Sequence, residues 1–172
     1  MLLHAERIYL RALEPSDATT LLVWENDVKY WHVSGTEIPF SLHAIQTYIA
    51  QAQDFRQTGQ LRLMICLKDT NQAIGCIDLF DADFKNRRAG VGILIADETL
   101  KGQGYALESL NALIDYAMHV FDFKQLYSHV SIRNEASMRL FEKAGFSVSG
   151  ELINWWKTRE DFENVRIYQL IF

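Results

Sequence analysis

Cysteine is scarce: Cys66 and Cys76 are the only two in 172 residues. That argues against a disulfide scaffold, and because each lies in a strand-like run, reduced core thiols are expected. The five histidines, at positions 4, 32, 43, 119 and 129, have no metal-ligand spacing. Neither HxxxH nor CxxC occurs, so no metal is expected, and His129 reads as core packing. No apolar run is long enough to span a bilayer, and Met1-Leu2-Leu3 runs straight into His4-Ala5-Glu6-Arg7 without the form of a signal peptide. Basic residues are outnumbered, 17 against 22 acidic, and the formal charge of −5 argues against a nucleic-acid partner. There is no internal repeat, linker or low-complexity tract. The expectation is a soluble, cytoplasmic protein with no membrane role, folded as one domain over residues 1–172.

What is present is a composition with 49% apolar and 23% charged residues, ordinary for a globular chain. Ile8, Leu10 and Ala12 alternate with polar or larger residues as a first strand. Glu14-Pro15-Ser16-Asp17 reads as a helix start, with the helix running to about Asn26. The stretch 26–40 is rich in aromatics and turn formers. Ser41 is a plausible N-cap for a helix carrying Leu42, Ile45, Tyr48, Ile49, Ala52 and Phe55, ended by Gly59. Residues 61–67 and 73–80 read as an antiparallel hairpin, and 89–95 as a further strand.

Next comes Lys101-Gly102-Gln103-Gly104-Tyr105-Ala106. It precedes Leu107, Leu110, Leu113, Ile114, Ala117, Met118 and Phe121, which line one face of an amphipathic helix. The order is strand, glycine loop, helix. Such a loop can present unpaired N–H groups and the positive end of a helix dipole to a phosphate, although a simple tight turn has the same signature. Two better-known loops do not fit. A P-loop needs Lys and Ser or Thr where Tyr105 and Ala106 stand, and the dinucleotide fingerprint needs a small residue at Leu107.

After a strand over 126–133, Asn134 is expected to cap a helix that ends at Lys143-Ala144-Gly145, with Phe146 as its closing apolar contact. Strands at 151–157 and 165–172 finish the chain. The right-handed crossover rule makes the 91–95 and 126–133 strands parallel neighbours. The fold class is therefore α+β: a mixed, mostly antiparallel sheet of about seven strands with one central parallel pair, flanked by about four helices.

This order of elements, with these residues, resembles the GNAT superfamily of acetyl-coenzyme A dependent N-acetyltransferases. The glycine loop matches the family's pyrophosphate loop, with Lys101 where Gln or Arg is usual. The block Asn134-Glu135-Ala136-Ser137 through Phe141-Glu142-Lys143-Ala144-Gly145-Phe146 matches the helix after the fifth strand. The resemblance spans essentially the whole chain and is closest to the branch holding spermidine and ribosomal-protein N-terminal acetyltransferases. It implies acetyl-coenzyme A as acetyl donor. It places backbone groups of Ile93, Leu94 and Ile95 on the acetyl-pantetheine arm. Backbone N–H groups of Lys101, Gly102, Gln103, Gly104, Tyr105 and Ala106 fall on the pyrophosphate. Asn134 is carried onto pantetheine, Ser137 and Phe141 onto the flanks of the thioester, and Lys143 onto the adenosine phosphate.

The chemistry implied is direct attack of a neutral amine on the thioester, with a free N–H near Ile95 for the oxyanion. Many relatives protonate the departing thiolate with a tyrosine, but Phe141 stands at that position. Ser137, one turn earlier, is the candidate acid, beside the reading that it only contacts the cofactor. A thiol with a pKa of about 8.5 can also leave unaided. Asp78 is the candidate base, beside the reading of a salt-bridged strand residue, and Gly90 stands where the branch has a glutamate. Glu25, Asp27 and Glu37 either attract a cationic amine or form a solvated face. Trp155 and Trp156 should point to opposite faces, one of them buried. The acceptor stays open between a polyamine, which needs a strongly acidic pocket, and a protein N-terminus, which needs an open groove. A homo-oligomer is left open, as is a non-catalytic coenzyme A-binding member.

Overall fold

The computed structural model describes residues 3–52 and 54–172, apart from the side chain of Val33. The opening Met1-Leu2 and residue 53, inside the expected second helix, lie outside the described residues. Seven strands run in chain order as β1 (Ile8–Ala12), β2 (Leu61–Leu67), β3 (Ala73–Asp83), β4 (Arg88–Ile95), β5 (Gln125–Ser131), β6 (Ser147–Lys157) and β7 (Phe162–Ile171). They form one sheet in the order β1-β2-β3-β4-β5-β7-β6. Every pairing is antiparallel except β4 with β5. The parallel pair is the one expected from the crossover rule.

The described residues hold six α-helices rather than about four: α1 (Ala18–Glu25), α2 (Val28–Ser34), α3 (Leu42–Gln51), α4 (Phe55–Thr58), α5 (Tyr105–Phe121) and α6 (Glu135–Lys143). The two extra helices have local causes. Asp27 caps α2 by accepting from Lys29 N–H at 3.1 Å, and Gly35 closes it at φ 70°. That segment lacks an apolar stripe, so periodicity does not reveal it. Asp54 starts α4 by accepting from Gln57 N–H at 3.2 Å, and Gly59 ends it, so the expected helix through Phe55 is two. Strand limits also differ. β6 begins at Ser147 and β7 at Phe162, because β6 is an edge strand with two register breaks and little burial alternation.

Two cores lie on opposite faces of the sheet. Leu110, Leu113 and Ala117 of α5 and Phe141 of α6 pack on Ile8, Leu10, Leu63, Ile65, Ile77 and Leu79. Ala18 and Leu21 of α1, with Ile45 and Ile49 of α3, pack on Met64 and Cys66 from the other side. Each such fully buried aliphatic side chain contributes about 1.5–3 kcal/mol of burial free energy. β1 departs from simple alternation at its end: Ala12 is exposed and Leu13 is buried in the second core. The chain turns over there, held by Arg11, which donates to both Asp17 oxygens at 2.7 and 2.8 Å. Both cysteines are free and buried, and burial pushes the Cys76 thiol up to about 12.

Candidate active site

The parallel pair is short. Only Arg88, Ala89 and Gly90 of β4 pair with Gln125, Leu126 and Tyr127 of β5, and beyond them the strands part. At the crotch of this fork the Ser128 hydroxyl donates to the Val91 carbonyl at 3.0 Å, replacing the backbone bond that the splay removes. From Gly90 to Ile95 β4 stays paired with β3, Gly92 opposite Asp78 and Leu94 opposite Cys76. Backbone groups alternate sides along a strand. Since the Val91 carbonyl faces β5, the main-chain groups of Ile93 and Ile95 face the open fork, whereas Gly92, Leu94 and Ala96 face β3; the Ala96 N–H bonds the Ile74 carbonyl at 2.8 Å. Of the three residues expected on the thioester arm, the outer two therefore offer free N–H and C=O groups.

The glycine loop sits below the fork, at the start of α5. Gly102 and Gly104 have φ values of 76° and 90°, which only glycine adopts without strain. Gly104 is the N-cap and supplies no side chain to the helix start. Among the described residues no protein acceptor takes the N–H groups of residues 102–107. The loop is nonetheless held in shape. Arg7 donates to the Gln103 carbonyl at 2.9 Å and to Glu108 at 2.6 Å, and its guanidinium lies 4.3 Å from the centre of the Tyr105 ring. Gln103 donates to the Thr99 carbonyl at 2.7 Å. The Lys101 ammonium turns to Glu98 at 2.9 Å and to the Tyr30 hydroxyl at 3.3 Å. Phosphate at this loop would thus meet main-chain amides first.

A cleft of about 450 Å³ opens between the arms of the fork, and it brings together Asp78, Ile93, Leu94, Asn134, Ser137 and Phe141. Asn134 caps α6 by accepting from Ser137 N–H at 3.1 Å, which leaves its amide NH₂ free. The Ser137 hydroxyl has no protein partner among the described residues and is half-buried. Phe141 is only 3% exposed, with its ring 5.0 Å from Phe146 edge-on and 6.2 Å from Tyr168 in a stack. Tyr168 behind it is no substitute acid: it is fully buried and donates to Glu142 at 3.0 Å. Lys143 stands at the exposed end of α6, outside the cleft.

Asp78 faces the cleft but is engaged. Arg62 donates to both of its oxygens, at 2.6 and 3.1 Å, and its remaining arm pairs with Glu25. Protonating Asp78 would break this pair. Arg62 carried no role in the sequence; its place in the β2 alternation gave no signal of it. Gly90 has a local explanation, because a Cβ there would stand 2.4 Å from the Phe80 ring, which lies across β4 in that space. His129 is a correction: it lines the cleft half-buried instead of packing in the core. Burial lowers its pKa, so it is neutral near pH 7. Trp156 also lines the cleft, and Trp155 is 56% exposed, so neither is a core residue. Of the acidic residues near the acceptor side, Glu25 reaches the cleft, whereas Asp27 binds Lys29 at 3.0 Å and Glu37 is exposed outside it.

Among the described residues no group of three His, Cys, Asp or Glu is placed to hold a metal ion, and no helix is long and apolar enough to cross a membrane. Residues 7–147 match the model of the acetyltransferase (GNAT) domain. An uncharacterized N-acetyltransferase of Bacillus licheniformis, p20, is 27% identical over 98% of this chain and 95% of its own length. The structure of spermidine N-acetyltransferase from Vibrio cholerae in complex with CoA and spermine superposes with a TM-score of 0.86 at 22% identity, covering 96% of this chain and 95% of that one. A ribosomal L7/L12 alpha-N-protein acetyltransferase in complex with coenzyme A gives 0.84 at 20% identity, covering 100% and 98%. With a forked parallel pair above a glycine-capped helix, and a family match over most of its length, this chain belongs to the GNAT family of acetyltransferases and is an N-acetyltransferase.

Proposed function

We propose that this enzyme transfers an acetyl group from acetyl-coenzyme A to a primary amine by direct attack, within one ternary complex. The observation that carries the proposal is the row of unpaired N–H groups over residues 102–107, at the start of the helix that follows β4, whose Ile93 and Ile95 face the open fork. A diphosphate at the former and an extended amide arm at the latter would satisfy polar groups that the fold leaves unpaired. Asn134 would hold the arm through its free amide, and Lys143, outside the cleft at the end of α6, is the candidate for the adenosine phosphate.

In the reaction the amine nitrogen bonds to the thioester carbonyl carbon, the carbon–sulfur bond breaks, and the thiolate takes a proton. The free N–H groups of Ile93 and Ile95 are the donors available to the carbonyl oxygen as it gains charge. Ser137 is the candidate donor to the sulfur, since Phe141 cannot donate. With Asp78 held by Arg62, neutral His129 is the better-placed group to take the proton from the incoming ammonium, directly or through water.

Incubation of purified protein with acetyl-coenzyme A and a panel of primary amines should release free thiol, with acetylated amine seen by mass spectrometry. If calorimetry shows coenzyme A binding but no amine yields thiol, the primary-amine acceptor is overturned.

A further inference from the structure

Building on the amine-acetylation reading, we infer that the acceptor carries a single positive charge beside a flat apolar body, as an arylalkylamine or an N-terminal aromatic residue does, and is not a polyamine. The cleft lining contains three formally charged side chains, Glu25, Arg62 and Asp78. Arg62 is bound by both carboxylates, so the wall carries one net negative charge. All three are largely covered, with side chains 14–18% exposed, so water does little to screen that charge. Of the other titratable side chains of the lining, burial keeps His129 neutral and pushes the Cys76 thiol up to about 12, and the Tyr30 hydroxyl donates to Glu98 at 3.0 Å.

Trp24, Tyr30, Phe80, Phe141 and Trp156 put five aromatic rings on the wall, among neutral polar and aliphatic side chains. Phe80 is fixed by the missing side chain at Gly90 and by an edge-on contact with Tyr127 at 6.2 Å. One ammonium balances Glu25 and gains from ring faces, while the aromatic wall takes an apolar body. A second or third ammonium would lose hydration with no further uncompensated carboxylate in the lining to meet it, since Asp78 is taken by Arg62. A strongly acidic pocket, which a polyamine needs, is therefore absent among the described residues of this cleft.

The test compares kcat/KM for 2-phenylethylamine, phenylalanyl-alanine amide and spermidine, read as thiol release, in the wild type and Glu25→Gln. Both monoamines should exceed spermidine by about tenfold or more, and their ratio separates a small amine from a peptide end. Glu25→Gln keeps a carbonyl oxygen for Arg62 but removes the net charge. It should raise the monoamine KM roughly ten- to hundredfold with kcat little changed, the size of one charged hydrogen bond. Spermidine as the better substrate, or a monoamine KM unmoved by Glu25→Gln, overturns the inference while leaving acetyl transfer intact. Acetyl-coenzyme A binding without turnover of any of the three also overturns it. Absence of acetyl-coenzyme A binding by calorimetry removes the acetyl-transfer reading itself. Should Glu25→Gln lose its circular-dichroism signal, the wild-type ranking of the three amines decides alone.

Discussion

Ser137 and His129 flank the cleft from two elements, α6 and β5, and each leaves a separate kinetic signature. Ser137→Ala should lower kcat by about 10²-fold if the hydroxyl protonates the thiolate, with the KM for acetyl-coenzyme A little changed. A kcat within twofold of wild type would assign the departure to an unassisted thiol. For His129 the sign is set by its depressed pKa. Neutral imidazole persists below the ordinary value of about 6.5, and the base is lost only as pH falls through the lower folded value. The kcat/KM–pH profile should therefore hold its plateau to below pH 6.5, then fall, and His129→Gln should remove that acid limb. Folding stability follows the same sign, full above 6.5 and declining as pH drops through the folded value. Arg62 and Gly90 show the limits of residue-by-residue reading, since each owes its place to a neighbour on another strand, Asp78 for one and Phe80 for the other.

Among the elements, the fork and the glycine loop make distinct demands. Ser128→Ala removes the hydroxyl that bridges β5 to the Val91 carbonyl and leaves a buried acceptor unpaired. Urea unfolding should show a loss of about 1–3 kcal/mol. Gly104→Ala places a Cβ on a residue at φ 90° and 3.2 Å from the Arg7 guanidinium. The left-handed conformation alone costs about 1–2 kcal/mol, and the loop should shift enough to raise the KM for acetyl-coenzyme A with kcat much less affected. α5 was legible because its apolar residues recur at helical spacing after a glycine loop, and α6 because Asn134 and Gly145 mark its two ends. α2 and the first half of β6 were not. α2 is a short aromatic helix set by its Asp27 cap and Gly35, and β6 is an edge strand with neither face fully buried.

Over the whole molecule, the sheet must keep two cores apart while its centre opens. The second core is tied to β1 through Arg11 and Asp17. Burial pushes the Asp17 pKa up, but hydrogen bonds from Arg11 and the Glu14 N–H hold it below the usual aspartate value. Its contribution to stability is present above about pH 3.9 and is lost as pH falls through the lower folded value. Asp17→Asn should lower the melting temperature at neutral pH and flatten its fall below pH 4. An unchanged acid transition would place the acid sensitivity in other carboxylates.

The antiparallel hairpin, the parallel central pair, the amphipathic helices and the glycine loop follow from periodicity, caps and chirality, whereas the place of β7 between β5 and β6 does not. These are local or near-local rules, and residues 61–146 obey them almost throughout. The ionic state of the cleft wall does not follow from them. Glu25, Arg62 and Asp78 are far apart in the chain, and only packing decides which charge meets which. The same holds for His129, whose exposure to the cleft depends on β4 and β5 parting after three paired residues. Long-range pairing of side chains and the splay of two strands are properties of the assembled sheet, and they set the charge and shape of a cleft that the linear pattern leaves open.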